Sequence, residues 1–128
     1  MESNEYIISV FDEIGGESAI SVSDGNALFQ KIDKAITQGV EVVLDFQNIN
    51  FIITAFLNAA IGQLYSKYTS EQLQMKLKLK NVKSEDVSLF KLVIERAKEY
   101  FSNPEDFERT SIVLTQERLL QNLRKSQP

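Results

Sequence analysis

Residues 40–65 read VEVVLDFQNINFIITAFLNAAIGQLY, and a change of period inside them decides the fold. Val40 to Phe46 is dense in β-branched residues and almost continuously apolar, the pattern of a central strand covered on both faces. After Gln47-Asn48, a second short apolar run from Ile49 to Ile53 leads to Thr54. From there Phe56, Leu57, Ala60, Ile61, Leu64 and Tyr65 recur at helical spacing on one apolar face, so a helix begins at Thr54. Strand, short turn and helix make half of a parallel crossover unit. The chain is therefore placed in the α/β class.

Upstream, Tyr6 to Ile14 (YIISVFDEI) reads as a first strand closed by Gly15-Gly16, with Ala19 to Val22 as a run that pairs with it in a hairpin. Asp24 or Ser23 offers an N-cap for a helix over about 25–38, carried by Leu28, Ile32, Ala35 and Ile36 and stopped by Gly39. Downstream, Gln74 to Lys80 alternates, which predicts a strand with Met75, Leu77 and Leu79 buried and its lysines in water. Ser84 caps a third helix with Glu85 and Asp86 in its first turn. Its inner stripe is Val87, Phe90, Val93 or Ile94, Ala97 and Phe101, and Asn103-Pro104 ends it. In the tail, either Thr115 to Lys125 forms a short helix or Ile112 to Leu114 is instead a brief extended run. The order β-β-α-β-α-β-α predicts a mixed sheet backed by helices mainly on one face. With no linker or repeat in the sequence, residues 1–128 are taken as one domain, with a core over about 5–101 and a helical tail over about 105–125.

Composition narrows the function. A net charge of −4 argues against phosphate-backbone binding, and Lys76, Lys78, Lys80 and Lys83 read as the solvated side of a strand, so no nucleic acid is expected. The sequence has no histidine and no cysteine, which removes the commonest general base, the thiol nucleophile and the usual soft metal ligands. No Gly-rich phosphate loop, serine elbow or acidic metal cluster stands in it. We therefore expect a binding protein rather than an enzyme, without metal or cofactor. The acidic start lacks the pattern of a signal peptide and no apolar run reaches the ~20 residues of a membrane span, so a cytoplasmic location is expected.

The segment VLDFQNINFIITAFLNAAIGQL (43–64) resembles the centre of STAS domains, the fold of anti-sigma-factor antagonists. It is most similar to the STAS-like bacterial group of the DUF4325 type. The matching residues are Thr54, Ala55, Phe56, Leu57, Asn58, Ala59, Ala60, Ile61 and Gly62, and Ser23-Asp24-Gly25 fits the same group. The resemblance implies a regulatory module that docks a protein partner, of the type of a GHKL ATPase/kinase or anti-sigma factor, through Asp24, Thr54, Ala55, Phe56 and Asn58. In antagonists an Asp-Ser-Ser/Thr-Gly sequence carries the phosphorylated hydroxyl. Here Ile53, Thr54, Ala55 and Phe56 occupy those places, so the hydroxyl of Thr54 is the one feature retained.

Phosphate on Thr54 would place ~1.5–2 negative charges on a neutral docking surface. The simpler reading of Thr54 is a helix N-cap. Asp45 has two readings as well: a carboxylate capping loop N–H groups, or part of a ligand pocket beside Thr54 at the carboxyl end of a strand, where the resemblance to STAS domains implies a nucleotide or lipid. Asn58, one turn on, can share a rim with Thr54. Gly62 is read as permitting close helix packing.

Overall fold

The computed structural model describes residues 5–102. Two compact units are distinguished, Met1–Ala97 and Lys98–Pro128. The first holds the sheets and their helices. The tail helix expected over about 105–125 lies outside the described residues.

The chain opens with β1 (Glu5–Ser9), which is shorter than the expected strand because Ser9 starts a helix. Its hydroxyl accepts the Asp12 N–H at 3.1 Å, Asp12 and Glu13 occupy the favourable first turn, and α1 (Val10–Ile14) follows. Gly15 closes α1 at φ 80°, its N–H donating to the Phe11 carbonyl at 2.9 Å. With α1 interposed, no hairpin forms. β2 (Ser18–Ala19) pairs elsewhere, and α2 (Val22–Thr37) is capped by Ser21 rather than Ser23 or Asp24. Gly39, at φ 85°, follows the end of α2 as expected.

Next come β3 (Glu41–Asp45), β4 (Phe51–Ile52) and α3 (Thr54–Ala60), and the α3 path then tightens into a 3-10 turn over Gly62–Ser66. A helix that the alternating 74–80 pattern concealed, α4 (Ser70–Lys76), is nucleated by a capping box. The Thr69 hydroxyl accepts the Gln72 N–H at 3.1 Å, and the Gln72 side chain accepts the Thr69 N–H at 2.8 Å. Only Leu77–Lys80 remains as β5, so Met75, expected in the core, is 65% exposed on α4. A 3-10 turn over Ser84–Asp86 leads into α5 (Val87–Ser102), whose Phe90, Val93 and Ala97 are buried. Val87, placed on that stripe by its spacing, is 41% exposed.

Every described strand pairing is parallel, so the expected mixture of pairings gives way to a parallel sheet β1-β3-β5 and a parallel pair β2-β4. Helices separate each strand from its partner, and such crossovers impose parallel pairing. One face of the three-stranded sheet turns Ile8, Val42, Leu44, Leu77 and Leu79 into the core with Leu28, Ile32, Phe56, Leu57 and Leu64. The other presents Ile7, Lys78 and Lys80 to solvent, although Val43 on it is buried, so among the described residues the main core lies on one side of the sheet. Phe46 and Phe90 close the core edge-to-face, with centroids 5.0 Å apart.

Candidate docking surface

The surface around Thr54 is set by the small β2-β4 sheet. Ser18 stands opposite Phe51 and Ala19 opposite Ile52, and the Ile53 N–H donates to the Ala19 carbonyl at 3.2 Å, which continues the register to Ile20 and Ile53. Side chains alternate across a strand. Ala19, fully buried, and Ile52 therefore face the core, while Ile20, Phe51 and Ile53 face out. Ser21 is extended (φ −109°, ψ 130°), so Val22 follows Ile20 to the same side. Ile20, Val22, Phe51 and Ile53 are between 42% and 57% exposed. They form an apolar patch on the order of a few hundred Å², the scale that marks interaction sites. The spacing of the runs Ala19–Val22 and Ile49–Ile53 suggested strands but not that their outward residues meet; that follows only from the register.

Thr54 adjoins this patch as the first helical residue of α3 and is half-buried. It is not the cap: Ile53, extended at φ −122°, holds that position and makes no side-chain cap bond. Ala55 is half-buried and Asn58 exposed, so both flank Thr54 as expected. Phe56 does not. Its side chain is fully buried among the largest core residues, on the inward side of α3 with Leu57 and Ala60, so a partner cannot reach it. Asp24 is half-buried in the first turn of α2, where its N–H is taken by the Ser21 hydroxyl at 3.1 Å.

The closeness of α2 to α3 rests on Gly25. A methyl group there would lie 2.7 Å from the Phe56 carbonyl oxygen and 2.8 Å from the Ala59 Cβ. Only glycine permits that approach. Gly62, to which the sequence assigned this role, would meet nothing closer than the Asn58 Oδ1 at 3.4 Å. The Gln63 side chain bridges the helices, donating to Asn26 Oδ1 at 2.7 Å and to the Ala59 carbonyl at 2.8 Å. Farther along α2, Asp33 accepts hydrogen bonds from Lys67 at 2.6 Å and from the Tyr68 hydroxyl at 2.5 Å. These two donors hold its carboxyl below the usual carboxylate range. Burial first, then Asp33, pushes the Tyr68 hydroxyl up.

Asp45 ends β3 with its Oδ1 accepting the Gln47 N–H at 3.0 Å and the Asn81 side chain at 2.8 Å, as the loop-capping reading expects. The sheet order β1-β3-β5 proceeds in one direction and has no reversal. Among the described residues this order shows no switch point of the kind that marks ligand crevices in α/β folds. A cleft of about 550 Å³ lies elsewhere, lined by Glu5, Tyr6, Lys31, Lys34, Ala35, Gln38 and Val40. Among the described residues, no helix is long and apolar enough to cross a membrane.

A family model described as a STAS-like domain of unknown function (DUF4325) matches residues 24–87, half of the chain, from the first turn of α2 to the start of α5. Searches among curated proteins and among solved structures find no match.

Proposed function

Since the chain belongs to this STAS-like family, we propose that it is a non-catalytic regulatory module that docks a protein partner through the surface around Thr54. The observation that supports this is the outward-facing set Ile20, Val22, Phe51 and Ile53 bordering the start of α3. A soluble domain gains nothing by leaving four large apolar side chains together in water, and a partner that covers them gains their transfer free energy. Asn58 and Asp24 supply a polar rim that fixes orientation, as rims of transient interfaces do.

The same placement gives Thr54 its regulatory role in this proposal. A phosphate on its hydroxyl adds ~1.5–2 negative charges beside Ile53 and Phe51, and a partner surface apolar enough to cover them is expelled. The fitting partner class is the GHKL-type kinase or anti-sigma factor of the antagonists that this family resembles. Ile53 and Phe56 stand where antagonists carry an acid and a glycine, so a partner kinase would read a more apolar turn here.

The experiment is capture from native lysate on the immobilised full chain, with Ile53→Asp and Met75→Asp compared beside wild type. A partner held by wild type and Met75→Asp but lost by Ile53→Asp supports the proposal. Proteins retained equally by all three count against it.

A further inference from the structure

The two outer strands of the three-stranded sheet are guarded differently. On β5, Lys78 and Lys80 stand exposed, and edge lysines deter another strand from adding. On β1 there is no lysine, proline or bulge; its one charge is Glu5 at the first position, while Tyr6 and Ile7 are 38% and 58% exposed. Among the described residues nothing pairs with the outer edge of β1. Beside its first residues opens the cleft of about 550 Å³, rimmed on the α2 side by Lys31 and Lys34.

We propose that a second copy of the chain adds to this edge, β1 against β1 in antiparallel sense about a two-fold axis near Ile7. The result is one continuous sheet of three strands from each copy. The self-complementary sequence of β1 selects this occupant, and its one charge selects the direction. Parallel addition in register would set Glu5 against Glu5, a repulsive cross-strand pair. Antiparallel addition centred on Ile7 sets Glu5 opposite Ser9, Tyr6 opposite Ile8, and Ile7 on its own copy, so an apolar centre meets itself and no like charges are opposed. It also carries the start of the second copy's α1, with exposed Asp12, past the Glu5 end of β1, where Lys34 rims the cleft beside Lys31, itself paired with Glu13 of its own chain at 2.6 Å. The arrangement covers Ile7, which otherwise stands in solvent on the open face beside Val43.

The chain contains no cysteine, so Ile7→Cys introduces its only thiol. Directly opposed residues of an antiparallel pair hold their Cβ atoms ~4.5–5.5 Å apart, within a small adjustment of disulfide reach. The full chain is expected to sediment at twice its own mass as concentration rises. Under mild oxidation Ile7→Cys should be trapped as a covalent dimer at least roughly tenfold faster than Met75→Cys, a control of similar exposure, because pairing raises the effective thiol concentration. Ile7→Lys sets two ammonium groups against each other and should weaken the dimer roughly tenfold or more, with its circular dichroism unchanged. A wild-type chain that stays monomeric at every concentration overturns the proposal and leaves an extended segment of another protein as the occupant of this edge. Cross-linking of Ile7→Cys no faster than of Met75→Cys overturns it as well, and so does a dimer that persists in folded Ile7→Lys.

Discussion

Gly25→Ala should destabilise the protein, although alanine is the better helix former. In an unobstructed helix interior the exchange gains ~1 kcal/mol from propensity. Here the added methyl would sit 2.7 Å from the Phe56 carbonyl oxygen and 2.8 Å from the Ala59 Cβ. Carbon atoms prefer ~3.5–4.0 Å, so α2 and α3 must part by up to ~1 Å. Neither obstructing atom has a rotamer through which to yield: one is backbone and the other a bare methyl. Overpacking of this kind costs ~1–3 kcal/mol, and the rigid neighbours place it in the upper part of that range. The net expectation is a loss of ~1–2 kcal/mol once the propensity gain is subtracted. Gly62→Ala is the internal control. Its methyl would meet Asn58 Oδ1 at 3.4 Å and otherwise only atoms at 3.8 Å and beyond, so it should be neutral or stabilise by up to ~1 kcal/mol. Urea unfolding of both full-length variants, followed by far-ultraviolet circular dichroism, measures the difference. A Gly25→Ala protein as stable as wild type, or as stable as Gly62→Ala, would refute the claimed contact between α2 and α3.

Three further outcomes are expected. Leu73→Ala, in a side chain only 3% exposed, should cost ~2–5 kcal/mol, whereas Met75→Ala should stay within ~0.5 kcal/mol of wild type; equal urea midpoints for the pair would restore Met75 to the core. Thr69→Ala breaks the capping box of α4 and should lower stability by ~1 kcal/mol in the same assay. Asp33 is held below its ordinary value by Lys67 and Tyr68, so its contribution is full above the unfolded value and is lost as pH falls through the folded one. Asp33→Asn should therefore weaken the protein at neutral pH and flatten the fall in stability below about pH 4, as read by urea midpoints at a series of pH values.

The parts of the fold that were legible in the sequence are those where pattern and packing agree. Val42, Val43 and Leu44 are buried in a central parallel strand, as their β-branched density predicts, and Leu28, Ile32, Ala35 and Ile36 line the inner side of α2. Errors arose where a local cap outweighed a longer pattern. Ser9 and Asp12 turn the second half of an apparent strand into α1, and Thr69 and Gln72 turn Gln74, Met75 and Lys76 into the end of a helix. Both cap signals stand in the sequence, three residues apart, and compete there with an apolar run or an alternation. Around Thr54 the start of α3 was legible but the burial of Phe56 was not, since the spacing that makes a helix amphipathic does not say which side of its first turn is covered. The apolar patch lay beyond sequence reasoning for another reason. Ile20 and Ile53 become neighbours only when β2 and β4 pair across the whole of α2 and β3, and no local pattern encodes that register.

The central claim is that a protein partner docks on the surface formed by Ile20, Val22, Phe51, Ile53 and Thr54. Titration of the captured partner by calorimetry against wild type, Ile53→Asp, Thr54→Glu and Thr54→Ala, with thermal melts alongside, tests it most directly. A charge buried in the interface should weaken binding by roughly tenfold or more in Ile53→Asp and Thr54→Glu. Thr54→Ala adds no charge and should bind within about threefold of wild type. All four should retain cooperative melts, because Thr54 makes no cap bond and Ile53 faces outward. Equal affinities for wild type, Ile53→Asp and Thr54→Glu would contradict the docking assignment.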